Sequence, residues 1–370
     1  MQEGARTDFG PLSRFLGTEA RLGFGGWAVG GAGWGMPDDA HEREAAIRRA
    51  AERGVTFFDT APTYGDGESE RLLGRALAAV RARVAIATKV GPRDDPRRSL
   101  EASLRRLATD YVDLIQLHEA LDGWERRLEQ LHTLQEKGKA LAVGLCNATS
   151  RQLAQALEIA PLAAYQGPYN LFDRDVEQRE LPLCRERRIA FLAYRPLAAG
   201  LLSGKYPTLP EFSAADHRRK IYWFQGREFA RRRTVVERLG AIAHRLDMPL
   251  SALALAWVLT QPGVGIVLAG ARSPEQVEQN LAGARPLTPA TLAEVDRIVA
   301  DAFPSVRATE ELKKEASGWG ERERFIVQRL DGKTSAELIA ALWTDGHATP
   351  MVAAQVKVFC DQLAERGLVG

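Results

Sequence analysis

The sequence predicts an α/β protein, a (β/α)8 TIM barrel carrying a small α-rich C-terminal extension. Three observations predict it. Short apolar runs alternate with amphipathic stretches many times. Eight of those runs fall within about 250 residues, at spacings of about 25–30, as parallel βα units require. Glycines such as Gly54 and Gly138 stand where the C-terminal caps of the intervening helices belong.

The elements follow in order. LGFGG (22–26) opens the series, and the helix pattern HEREAAIRRAAERG (41–54) leads into VTFFD (55–59). ESERLLGRALAAV (68–80) precedes VAIATK (84–89), and RRSLEASLRRLA (97–108) precedes VDLIQLH (112–118). WERRLEQLHTLQEKG (124–138) precedes ALAVGLC (140–146). Ser150 is expected to cap SRQLAQALEIA (150–160), which leads to LAAYQ (162–166). IAFLAY (189–194) and VGIVLAG (264–270) complete the eight strands. One connection breaks the rhythm. From Tyr194 to about Arg227 the chain is far longer than the usual βα loop of about 2–6 residues. It holds Gly200, Gly204, Lys205 and the basic run 217–220, so it reads either as a solvated insertion or as a flap over an anionic ligand.

The barrel domain is assigned to residues 1–305, and 306–370 to a charged connector plus a small, mostly helical module. Within that module the sequence suggests a short strand at FIVQRL, a helix capped by Thr334 or Ser335, a turn and a final helix.

Composition excludes several classes. The 370 residues are 45% hydrophobic and 26% charged, with 50 basic against 48 acidic side chains, so neither a nucleic acid nor an anionic membrane is an expected partner. No apolar run is long enough to span a bilayer, and the N-terminus lacks the apolar core of a signal peptide. Cys146, Cys184 and Cys360 are few and far apart, which suits a reducing compartment and a cytoplasmic location. No metal site is expected.

The chemistry concentrates at strand ends, where parallel barrels place catalytic groups. FFDTAPTYG (57–65) puts a carboxylate, Asp59, at the end of an apolar strand, with Tyr64 on the loop beyond. The next two strands end at Lys89 and His118. An ammonium opposite Asp59 makes a buried carboxylate tolerable. A lysine beside a phenol lowers its pKa from about 10. The set can hand a proton to a carbonyl oxygen, help worth about 10²–10⁴ in rate, but it holds no reducing equivalent, so a hydride donor has to come from a cofactor.

From about Arg21 to Asp301 the sequence closely resembles the aldo-keto reductases. The resemblance is carried by FFDTAPTYGDGESERLLGRAL, TKVG, SLRRLATDYVDLIQLH, AVGLCNAT, YQGPYNLF, AYRPLAAGLLSGKY, ALAWVL and GARSPEQVEQN, in order and at the family's spacing. It implies a barrel that binds NADP(H) across its C-terminal face and acts on a small aldehyde, ketone, sugar or alcohol. Asp59, Tyr64, Lys89 and His118 match the family's catalytic tetrad, with Tyr64 as general acid or base. Asn147 and Gln166 match the residues that hold the nicotinamide amide, and Tyr194 the aromatic that stacks on its ring. Leu197, Gly200 and Lys205 match the pyrophosphate segment; Gly270, Arg272, Gln276 and Asn280 match the adenosine end. Arg272 is the expected partner of a 2′-phosphate, because a guanidinium fork suits phosphate oxygens. No GxGxxG follows the first strand, so a Rossmann site is not supported. GFGGWAVGGAGWG (23–35) is expected to be a substrate-side loop, with Trp27 and Trp34 as pocket walls. The chain departs from the family at Cys146 and Arg195, which the family often fills with Ser, and at Glu119-Ala120 after His118. Arg195 is expected either to reach the pyrophosphate or to point to solvent.

Residues 310–370 resemble, over about 45 residues, the PqqD-like winged-helix modules that bind peptides in modified-peptide biosynthesis. Eight basic and ten acidic side chains there argue against DNA binding. The segment is expected either to pack on the barrel, to mediate oligomer contact, or to engage a protein or peptide. That last possibility supports a second reading of the whole chain, as a cofactor-binding regulatory or scaffold subunit.

Overall fold

The computed structural model describes residues 21–31, 34, 39–214 and 216–303, with Leu12, Ile326, Val356, Phe359, Cys360 and Leu363 as isolated positions. Eight strands close into a barrel in chain order: β1 (Leu22–Gly25), β2 (Phe57–Asp59), β3 (Ala85–Val90), β4 (Leu114–Leu117), β5 (Val143–Cys146), β6 (Ala164–Pro168), β7 (Ala190–Tyr194) and β8 (Val264–Ala269). All neighbours are parallel, and β8 returns to pair with β1. The eight strands predicted from apolar runs are all present, trimmed by a few residues.

Helices alternate with the strands: α1 (Ala40–Glu52), α2 (Glu68–Leu77), α3 (Pro96–Leu107), α4 (Trp124–Glu136), α5 (Ser150–Ile159), α6 (Glu180–Glu186), α7 (Gly226–Arg245), α8 (Leu250–Thr260), α9 (Pro274–Leu281) and α10 (Pro289–Ala302). Their ends are fixed locally. Asp39 and Asp95 accept hydrogen bonds from backbone N–H groups in the first turns of α1 and α3. Gly54 and Gly138, at φ +86° and +71°, terminate α1 and α4 as predicted. The predicted cap of α5 moves by one residue: Thr149, not Ser150, makes a reciprocal capping box with Gln152.

Two apolar layers share the strands. Outward-facing residues such as Phe58, Ile86, Ile115, Leu145 and Phe191 pack under the helices. Inward-facing Phe57, Ala85, Ala87, Leu114, Ala142, Ala164, Ala190, Leu192, Ile266 and Leu268 fill the barrel together with Leu12, which is fully buried. Strand alternation then dictates what lies above that filling. Two residues beyond Phe57, Ala87, Leu114 and Ala164 stand Asp59, Lys89, Gln116 and Gln166, all buried.

The predicted C-terminal module lies outside the described residues except at five positions. Ile326 is helical where a strand was expected. Val356, Cys360 and Leu363 are helical and buried, at a spacing that puts them on one helix face. Among the described residues no single helix is long and apolar enough to cross a membrane.

Candidate active site

Asp59 ends β2 in a fully buried position, and its charge is met from the next strand. Lys89 Nζ lies 2.8 and 2.7 Å from the two Asp59 carboxylate oxygens and 2.9 Å from the Thr60 carbonyl. An ammonium has three donors, and these three contacts use them all. Gln166 Nε2 donates to Asp59 Oδ1 at 2.8 Å and Gln116 Nε2 at 3.3 Å. Gln116 Oε1 accepts in turn from Cys146 Sγ and Gln166 Nε2, each at 3.4 Å. Five successive strands, β2 to β6, thus contribute one polar side chain each to a hydrogen-bonded belt beneath the barrel mouth.

Tyr64 stands over this belt. Its loop is seated by a close backbone approach: a Cβ on Gly65, at φ +62°, would lie 1.9 Å from the Gly30 carbonyl oxygen, so only glycine fits. The first turn of α2 staples the same loop. Ser69 Oγ accepts from Thr60 Oγ1 and donates to the Gly26 carbonyl, both at 2.8 Å. Buried Glu70 accepts from Thr88 Oγ1 at 2.6 Å and pairs with Arg106. Lys89 Nζ lies 5.0 Å from the centre of the Tyr64 ring, and the His118 ring meets it edge-on at 6.1 Å.

The electrostatics correct one expectation. Burial pushes the Tyr64 phenol up to about 12, although Lys89 pulls it down as predicted. Desolvation of the phenolate outweighs the cation, so Tyr64 holds its proton. Burial pulls Lys89 down, but Asp59 and Tyr64 more than restore it, and it stays charged. His118 is lowered to about 3 by burial and by Lys89, so its imidazole is neutral.

A cavity of about 900 Å³ opens over these groups. Asp59, Tyr64 and His118 line its floor, and Lys89 lies behind Asp59. Asn147, Gln166 and Tyr194 line it beside them. Asn147, in the left-handed region at φ +51°, donates through Nδ2 to the His118 carbonyl at 3.0 Å and accepts from the Tyr194 hydroxyl at 2.8 Å. Because Gln166 Nε2 faces Asp59, its Oε1 is the end left for the cavity. Farther along lie Leu197, Gly200 and Lys205 from the loop after β7, then Gly270, Arg272, Gln276 and Asn280 after β8. Gln276 Oε1 accepts from the Arg272 N–H at 2.9 Å, and Asn280 Nδ2 donates to the Gly270 carbonyl at 3.2 Å.

The long insertion is a roof, pinned to the protein chiefly through Arg218. Arg218 pairs with Asp216, donates to the Tyr206 hydroxyl at 2.6 Å and donates to the Trp34 carbonyl at 2.9 Å. The His217 ring meets Trp27 at a tilt and Trp34 edge-on, at ring distances of 4.3 and 4.4 Å. Both tryptophans line the cavity. Lys205 and Arg272, by contrast, have no carboxylate partner among the described residues. Burial together with Arg218 and Arg272 lowers Lys205 to about 8. Burial and Arg218 likewise lower Arg272.

A profile of the aldo/keto reductase family matches residues 21–300. The chain belongs to the aldo/keto reductase family. This aldo/keto reductase is 38% identical over 276 residues to an aldo-keto reductase of Bacillus subtilis (strain 168), a match covering 70% of this chain and 83% of the relative. It is 30% identical over 299 residues to the NADH-specific methylglyoxal reductase of Escherichia coli (strain K12), covering 72% and 90%. A solved aldo/keto reductase from Klebsiella pneumoniae in complex with NADP and acetate superposes with a TM-score of 0.60 at 28% identity, covering 75% of this chain and 91% of that one.

Two departures from the family pattern gain a location in this reductase. Cys146 does not line the cavity; its thiol, raised by burial, turns inward to Gln116. Arg195 is half-buried on the wall of the same cavity as Lys205 and Arg272, with its guanidinium 5.3 Å over Trp27 and 5.7 Å over Tyr194. Gln116, and Asp216 as the partner of Arg218, are residues around the site that the sequence did not single out. For Gln116 a signal existed, since a polar residue at an inward position of LIQLH stands two residues before the strand-end His118.

Proposed function

We propose that this reductase interconverts a small carbonyl compound (an aldehyde, ketone or sugar) and its alcohol with NADP(H), using Tyr64 as general acid and base. The observation that carries this reading is the seat of Tyr64, a protonated phenol held between the charged Lys89 and the neutral His118 at the floor of an open cavity. In the reducing direction Tyr64 gives its hydroxyl proton to the carbonyl oxygen as negative charge develops there. Lys89, fixed by Asp59, stabilises the resulting phenolate; the neutral His118 orients the carbonyl oxygen. In the oxidising direction the same phenolate takes the alcohol proton back.

The dinucleotide would supply or accept the hydride. The residues present fit such a group. Two cations with no carboxylate partner among the described residues, the exposed Lys205 and the half-buried Arg272, border a glycine turn, where Gly200 at φ +92° leaves the backbone bare. Two positive groups on one rim are held together at an electrostatic cost, and phosphate oxygens between them relieve it. Leu197, Gly200 and Lys205 would take the pyrophosphate, and Gly270, Arg272, Gln276 and Asn280 the adenosine end. Tyr194 would stack on the nicotinamide while Gln166 Oε1 and Asn147 hold its amide. A 2′-phosphate on Arg272 favours NADP(H) over NAD(H).

The test is oxidation of NADPH, with NADH in parallel, against a panel of small aldehydes. Tyr64→Phe should lower kcat about 10²–10⁴-fold with NADPH binding retained. A Tyr64→Phe variant as active as the parent would overturn the assignment of the proton donor.

A further inference from the structure

We infer that Arg195 anchors an anionic group, a carboxylate or phosphate, carried by the carbonyl substrate a few bonds from the reacting carbon. The inference rests on the carbonyl-reductase reading above and adds the substrate class. Arg195 follows Tyr194 at the end of β7 in the left-handed region, φ +54°, a conformation uncommon for residues with a side chain. Asn170 Nδ2 holds its carbonyl at 3.1 Å, so the turn is fixed from behind and the side chain is aimed at the cavity it lines. There the guanidinium lies over the faces of Trp27 and Tyr194. Its Nε is buried and makes no hydrogen bond, and no carboxylate among the described residues pairs with it. Cation–π contact offsets part of that cost, but five donors remain to be used.

The position of this cation sets what it meets. Trp27 lies 6.4 Å from the Tyr64 ring, so Arg195 faces the reacting end across a single aromatic wall. Arg195 packs on Trp27 and Tyr194, whereas Lys205 lies against Tyr206 and Gly200. The aromatic seat of Arg195 makes it a second positive site beside the cations suited to the cofactor's phosphates. Glu119, next to His118, also lines the cavity. A negative group is repelled there and drawn to Arg195, which fixes one orientation of the substrate.

The experiment compares 4-oxobutanoate with butanal as substrates, and follows butanoate, which lacks the carbonyl, by calorimetry on the NADPH-bound protein. The wild type should prefer 4-oxobutanoate, and Arg195→Gln should reduce the kcat/KM ratio of the two substrates by about tenfold or more. Butanoate binding should weaken by a similar factor, with Arg195→Lys in between. The inference fails if butanoate does not bind the wild type, or if it binds Arg195→Gln equally well. It also fails if NADPH affinity falls by the same factor, which would hand Arg195 to the cofactor's phosphates. Loss of turnover on both substrates with butanoate binding intact would instead count against the carbonyl-reductase reading alone.

Discussion

Lys89 and Asp59 form a closed ion pair, 2.8 and 2.7 Å from one nitrogen to two oxygens, with Lys89 only 1% exposed. Among the described residues no other cation pairs with Asp59, so the two act as one unit beneath Tyr64.

Asp59→Asn should therefore cost about 3–5 kcal/mol of stability, because it strands a buried ammonium. It should also move the pH profile of alcohol oxidation upward. That direction needs the Tyr64 phenolate, and a Lys89 that loses its proton more easily stabilises the phenolate less. Urea denaturation and a kcat–pH series measure the two effects. An unmoved profile would leave Asp59 with a structural role only.

His118 supplies a pH prediction of its own. Its folded value is about 3 against an ordinary 6.5, so between those limits the unfolded chain binds more protons than the folded one. The stabilisation is fully present above about 6.5 and is lost as pH falls towards 3. His118→Gln should flatten the dependence of the urea midpoint on pH across that window. The parent should show no histidine limb in kcat/KM between about pH 6 and 8.

Lys205 links cofactor affinity to pH. With its value lowered to about 8, the free protein loses this cation's proton above that pH. Binding phosphate then requires proton uptake. The NADPH Kd should be flat below about pH 8 and rise about tenfold per unit above it. Lys205→Met should weaken binding and abolish the slope, as calorimetry across pH 7–10 will show.

Gln116→Leu tests the belt. The change removes a donor to Asp59 and the acceptor shared by Cys146 and Gln166, groups whose loss costs about 1–3 kcal/mol when buried. If Gln166 holds the nicotinamide amide, the NADPH Kd should rise several-fold while the substrate KM changes less. An equal change in both would make Gln116 a packing residue.

Much of this arrangement was legible because strand alternation and strand ends carry it. The runs before Asp59, Lys89 and His118 identified the barrel and the strand ends on which these three side chains stand. The acidity of Tyr64 was not legible: sequence supplies its neighbour Lys89, but the sign depends on how much water the fold removes. Gln116 was hidden inside an apolar run that read simply as a strand. The Arg218–Trp34 contact joins positions 184 residues apart, and no local pattern announces it. Thr149 and Ser150 are both good caps, and only the backbone angles choose between them.

The ring contact of His217 with both Trp27 and Trp34 gives the molecule an optical consequence. Two of its seven indoles sit on the wall of the cavity, in ring contact with an imidazole contributed by the roof. Their ultraviolet emission should respond when anything enters beneath that roof or when the roof lifts. The protein thereby carries an intrinsic, label-free gauge of its own occupancy, readable on a timescale that turnover assays do not reach.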